Sequence, residues 1–230
     1  MRRNSCNLLH LCLVMHPLLP MPALAMPAIT CHCFTDRSYD AARPAAADPY
    51  LLATTQNSFF AIVFNTDRKN IVIKKQQGTS SDELWIAYWV ASKTGVSPDT
   101  LLQAKLEHAT WKDTLAALRL TTKNLGARFT HALNTHIPPA HLAETAVDEI
   151  FLRYQLLPPA ELAALRKTGA SNQEVIIAAV IAAKTRQPVR QVFLEVKNGS
   201  KTWGSFLTWA HVDTKNMQQE IVSILKLQPL

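Results

Sequence analysis

One stretch of this chain is written twice, and two copies of a sequence must share a conformation. Gly78-Thr79-Ser80-Ser81-Asp82-Glu83-Leu84-Trp85-Ile86-Ala87 aligns with Gly169-Ala170-Ser171-Asn172-Gln173-Glu174-Val175-Ile176-Ile177-Ala178. The register continues through Ala91-Ser92-Lys93-Thr94 against Ala182-Ala183-Lys184-Thr185. After a slip of one residue, Trp111 meets Trp203, and Thr122-Lys123-Asn124 meets Thr214-Lys215-Asn216. Matches that persist at one spacing point to a duplicated supersecondary unit.

The duplication resolves segments that are ambiguous alone. Asn70-Ile71-Val72-Ile73 has strand propensity, but its counterpart after Pro159 reads as a helix, with Pro in the first turn and Gly169 past the end. Both are therefore predicted helical, with Gly78 and Gly169 as left-handed terminators. The next helix opens in both copies on a capping box, Ser80 with Glu83 and Ser171 with Glu174. Apolar residues follow at helical spacing: Leu84, Trp85, Tyr88 and Ala91 in one copy, Val175, Ile176, Ala179 and Ala182 in the other.

Pro98 and Pro188 mark further helix starts, with Leu101, Leu102 and Leu106 downstream in one copy against Gln191, Phe193, Leu194 and Val196 in the other. Short helices follow Trp111 and Trp203, and a last one carries Leu125, Phe129 and Leu133 or Met217, Ile221 and Leu225. Asp48-Pro49 reads as an N-cap and N1 pair for a leading helix, matched by one after Pro138-Pro139. The expected fold is all-α: two tandem copies of a five- to six-helix module, with short orthogonal helices and no sheet. Module 1 spans 48–137 and module 2 spans 138–230.

The N terminus carries an export signal. Arg2 and Arg3 form a basic start, Leu8 to Val14 an apolar run, and Ala23-Leu24-Ala25 a small-residue cleavage site. Residues 1–25 are thus expected to leave as a signal peptide. Pro17, Pro20 and Pro22 interrupt the stretch, and a membrane span needs about 20 apolar residues. Removal of Arg2 and Arg3 lowers the formal charge from +7 to +5, scattered rather than blocked, which gives no polyanion-binding patch. The mature N terminus, 26–47, is rich in Ala, Arg, Asp and Pro, and its lack of apolar periodicity predicts a flexible tether.

Cys31-His32-Cys33 is the segment with intrinsic chemistry. Two thiolates and an imidazole suit Zn or Cu, although a closed tetrahedral site needs a further ligand. The same thiols could form a strained, oxidising disulfide, or bond to a partner or a second copy of the chain. Thr30 makes Ala28-Ile29-Thr30 a poor lipidation signal. His131, His136 and His141 recur at a spacing that does not share a helical face. Trp85, Tyr88 and Trp89 crowd one helix where the second copy has Ile176, Ala179 and Val180, so they are candidate interface residues.

With 6 Gly the chain lacks phosphate-cradling loops, and it has no nucleophile elbow or zincin helix. No catalytic residue is assigned, and an enzyme is not expected. A helix-turn-helix reading of 98–118 fails because its second helix would offer Lys112, Asp113, Thr114 and Arg119 to bases, and the second copy mostly apolar residues.

Cys31-His32-Cys33-Phe34-Thr35-Asp36-Arg37, Tyr50-Leu51-Leu52-Ala53-Thr54-Thr55-Gln56-Asn57-Ser58-Phe59 and Asp82-Glu83-Leu84-Trp85-Ile86-Ala87 resemble exported bacterial proteins with a Cys-His-Cys-Phe mature N terminus and helical modules. The resemblance covers the mature N terminus and module 1. It implies a periplasmic setting and carries no activity with it. The expected function is an exported interaction or assembly protein with an envelope protein partner, and the alternative is metal or thiol handling through Cys31, His32 and Cys33.

Overall fold

The computed structural model describes residues 34–135 and 137–226. Among them are twelve α-helices, one 3₁₀ turn and no strand. The first six are α1 (Asp48–Val63), α2 (Arg68–Gln76), α3 (Ser81–Thr94), α4 (Pro98–Glu107), α5 (Trp111–Ala117) and α6 (Ala127–Asn134). The next six are α7 (Pro139–Arg153), α8 (Pro159–Lys167), α9 (Asn172–Thr185), α10 (Val189–Lys197), α11 (Trp203–Trp209) and α12 (Met217–Ile224). Their lengths nearly repeat in order: 16, 9, 14, 10, 7 and 8 residues, then 15, 9, 14, 9, 7 and 8. None is long and apolar enough to cross a membrane.

Local stops and starts recur with the lengths. Ser80 and Ser171 each accept the amide of the Glu three residues on, and that Glu returns to the Ser amide. Thr110 and Thr202 cap α5 and α11 in the same way through Asp113 and Ser205 amides. Left-handed residues follow the same helices, Gly78 with Gly169 and Gly95 with Arg186. Pro98 occupies the first turn of α4, whereas Pro188 sits one step earlier as the N-cap of α10.

The packing does not follow the chain order. α1 lies against α9, α11 and α12, and α7 against α3 and α6, so each leading helix packs on elements from the other side of Pro138-Pro139. A single contiguous hydrophobic cluster results, running from Ala47 and Leu51 through Trp85 and Phe151 to Ile221 and Leu225. Residues 55–61 of α1 are all buried, the signature of a core helix rather than an amphipathic surface one. Its polar residues must then find partners inside. Thr55 Oγ1 donates to the Leu51 carbonyl at 2.8 Å, and Lys75 Nζ donates to Asn57 Oδ1 at 2.7 Å.

Asp48 departs from its expected role. Ala47 is the N-cap of α1 and makes no side-chain cap bond. The Asp48 carboxylate instead accepts from the amides of Trp203 (3.1 Å) and Gly204 (2.9 Å), capping α11 across more than 150 residues of sequence. α7 makes a parallel contact: Glu149 Oε1 accepts from the Arg128 amide at 2.9 Å in the first turn of α6. Each of α1 and α7 thus carries a carboxylate that accepts first-turn amides of another helix, the far end of the chain for α1 and the preceding helix for α7.

Residues 34–47 are not a free tether. Asp40 Oδ1 accepts from the Ala42 amide at 2.9 Å, Arg43 pairs with Asp36 at 2.7 Å, and Ala47 is buried. Tyr39 sits so close to α11 that a Cβ on Gly204 would lie 2.8 Å from its ring, which requires glycine there. The apolar groups of this segment are Phe34, Tyr39 and Ala47, too irregularly spaced to register as a pattern.

Asp48→Ala is expected to cost about 1–2 kcal/mol, the usual loss for a helix cap. Thermal unfolding should show a fall in Tm of about 2–4 °C per kcal/mol. An unchanged Tm would mean that the α1 to α11 contact does not hold the two ends of the chain together.

Candidate functional site

Three polar or concave regions surround the exchanged helices. The first is a cavity of about 190 Å³ against α1, lined by Phe34, Arg37, Tyr50, Ala53, Thr54, Asn57, Arg68 and Val72. Phe34 meets the Tyr50 ring edge-on at 5.8 Å between centroids. Arg37 lies over the same ring at 5.9 Å and donates from Nε to the Phe34 carbonyl at 3.3 Å. Arg68, the first residue of α2, reaches Ser58 Oγ at 3.4 Å. Residues from three separate elements therefore converge on one polar hollow.

The second is a groove of about 400 Å³ between the end of α7, α9, the start of α10 and α12. Ala179, Ala182 and Ala183 supply small side chains, Leu157, Val189 and Ile224 apolar walls, and Glu161 and Arg186 a charged edge. Ala179 occupies the repeat position of Tyr88. In the first half Tyr88 packs on Phe60 at 4.8 Å and Phe64 at 5.6 Å. The aromatic ring fills its own half, and alanine leaves a hollow in the other.

The third is a charged seam where α7 meets α6, α8 and the start of α9. Asp148, 7% exposed, takes two hydrogen bonds from Arg166, Nε at 3.0 Å and Nη2 at 2.9 Å, and lies 3.7 Å from Arg128. Arg166 also donates to Asn172 Oδ1 (2.6 Å) and to the Ala170 carbonyl (2.9 Å), which leaves the pair well satisfied. Burial pushes the Asp148 carboxyl above its ordinary value, and Arg166 and Arg128 pull it part of the way back. Burial also raises Asp82, followed by repulsion from Glu144 and Glu83, with Lys75 opposing.

The sequence-predicted site residues fall differently. Cys31, His32 and Cys33 lie outside the described residues, as do the signal peptide and His136. Among the described residues no group of three or more His, Cys, Asp or Glu is placed to hold a metal ion. His131 is exposed, and His141 is exposed with Nδ1 3.0 Å from Glu144.

Trp85, Tyr88 and Trp89, expected to face a partner, are in the core at 1%, 9% and 3% exposure. Trp85 contacts Phe59, Phe60 and Phe64 of α1, which covers it from within the chain. Trp89 donates from Nε1 to the Leu125 carbonyl at 2.9 Å, and Lys93 lies over its ring at 4.4 Å. The extra aromatic volume of this helix thus packs between α1 and α3. Leu106 is 79% exposed, and Trp209 is half exposed. Trp111 and Trp203 are buried, as a space-filling role requires.

Sequence reasoning missed Arg37, Arg68 and Asn57. They are isolated in the chain, and no spacing links them, because the fold of α1 against α2 and residues 34–47 is what brings them to one cavity. No protein-family model, curated protein or solved structure matches the chain.

Two expectations follow from the seam. Arg166→Met should cost about 3–5 kcal/mol in denaturant unfolding, because it strands a buried carboxylate, while Asp148→Asn in the same chain should recover much of the loss. For Asp82 the folded carboxyl holds its proton more tightly than the unfolded one. Its contribution to stability is therefore favourable at low pH and is lost as pH rises through the folded value. Asp82→Asn should gain stability over the parent at pH 7 and show no gain near pH 4, read as Tm against pH.

Proposed function

We propose that this chain is an exported, periplasmic interaction or assembly protein, built from two copies of one helical module at 48–137 and 138–230 whose leading helices are exchanged. The observation that carries this reading is the groove beside Ala179. Two halves with the same helix order differ there: one hollow is filled by Tyr88, and the other is left apolar with a charged rim. A concave apolar surface edged by charge suits an apolar segment of a protein partner. The residue pattern at 1–25 and the resemblance of the mature N terminus to exported bacterial proteins support the periplasmic setting.

A second reading has its own supporting observation. Phe34, the residue after Cys33, is anchored on Tyr50 with Arg37 beside it. On this reading Cys31, His32 and Cys33 act as ligands for Zn or Cu or as redox thiols.

The test is co-purification of the mature protein from its own envelope fraction, with partners and the mature N terminus identified by mass. A chain starting near Met26 and a stoichiometric partner that is lost on Ala179→Tyr, with helicity retained, are the expected results. A partner that survives Ala179→Tyr would remove the groove from the interface. Loss of function in Cys31→Ser/Cys33→Ser together with bound Zn or Cu in the parent would favour the second reading, and a metal-free parent indifferent to that change would sink it.

A further inference from the structure

We infer that the cavity on α1 binds a compact oxyanion, a carboxylate or a phosphate, carried on a small apolar body. Arg37 and Arg68 come from different elements and line the same hollow. Neither forms an ion pair among the described residues. The acids next to them in sequence are already used: Asp36 pairs with Arg43, and Asp67 accepts from the Lys69 amide as the N-cap of α2.

Their donors are also available. Arg37 is exposed, donates from Nε to the Phe34 carbonyl at 3.3 Å and lies 5.9 Å from the Tyr50 ring centroid, and its two terminal nitrogens have no protein partner among the described residues. Arg68 spends one terminal nitrogen on a long contact to Ser58. Two planar guanidiniums with spare donors suit an oxyanion, which accepts paired hydrogen bonds and supplies the missing counter-charge. Ala53, Val72, Tyr50 and Phe34 give apolar or aromatic walls, and Thr54 and Asn57 are the other polar lining residues. A volume of about 190 Å³ corresponds to roughly six waters, which is room for a benzoate-sized group.

Isothermal titration of the mature protein at fixed ionic strength tests this, with benzoate, phenyl phosphate and the neutral isostere benzamide as probes. One saturable site for benzoate or phenyl phosphate is expected, with benzamide at least about tenfold weaker because it lacks the charge that strengthens each hydrogen bond. The tighter of the two anions identifies the headgroup. Arg37→Gln and Arg68→Gln should each weaken the anion by about tenfold or more, whereas the exposed and remote Lys197→Gln should not. Circular dichroism and Tm establish that the variants are folded. Absence of saturable anion binding, equal affinity for benzamide, or binding unchanged in both arginine variants would overturn the assignment.

Discussion

The complete burial of residues 55–61 in the middle of α1 is the constraint on which the rest of the structure depends. A helix with Thr55, Gln56, Asn57 and Ser58 in its middle cannot sit in an apolar core unless its surroundings supply polar partners. The structure supplies several: a lysine from α2, an arginine from the start of α2, and carbonyls of α1 itself. Because α1 packs on α9, α11 and α12, the core cannot close until residues 150 and more positions apart have met. Such non-local closure slows folding, since loop entropy is lost before contacts compensate. The two remote caps, Asp48 on α11 and Glu149 on α6, fix the exchange with directional bonds where apolar packing alone would leave the axial register loose.

What could be read from the residues, and what could not, divides along the same line. Capping boxes, left-handed terminators and the helix at Asn70-Ile71-Val72 are local events, fixed within a few residues and then doubled by the repeat. The exchange of α1 and α7 is not local. A duplicated sequence is equally compatible with each leading helix packing on its own copy or on the other, since both copies offer similar faces. Asp48 shows the ambiguity in one residue: before a proline it looks like a helix cap, and it is one, for a different helix. Phe34 and Tyr39 likewise carry no periodicity, so their docking onto α1 and α11 is visible only in three dimensions.

The aromatic helix of the first half changes meaning once its contacts are known. Trp85 and Tyr88 meet Phe59, Phe60 and Phe64, a cluster in which tilted and edge-on rings fill the seam between α1 and α3. Divergence between the copies therefore does not expose these rings. It transfers the open volume to the other half, where Ala179, Ala182 and Ala183 line a groove.

The copies diverge in their polar residues as well. In the second half Arg166 meets a full charge, Asp148, and the pair is closed by Asn172 and backbone carbonyls. At the matching position in the first half, Lys75 meets the neutral Asn57. An amide there carries no charge to set against the lysine, and Arg37 and Arg68 line the same hollow as Asn57. A buried acid at that position would neutralise the cavity from behind. Asparagine at that position keeps the hydrogen bond to the lysine without placing a carboxylate beside the hollow that Arg37 and Arg68 line.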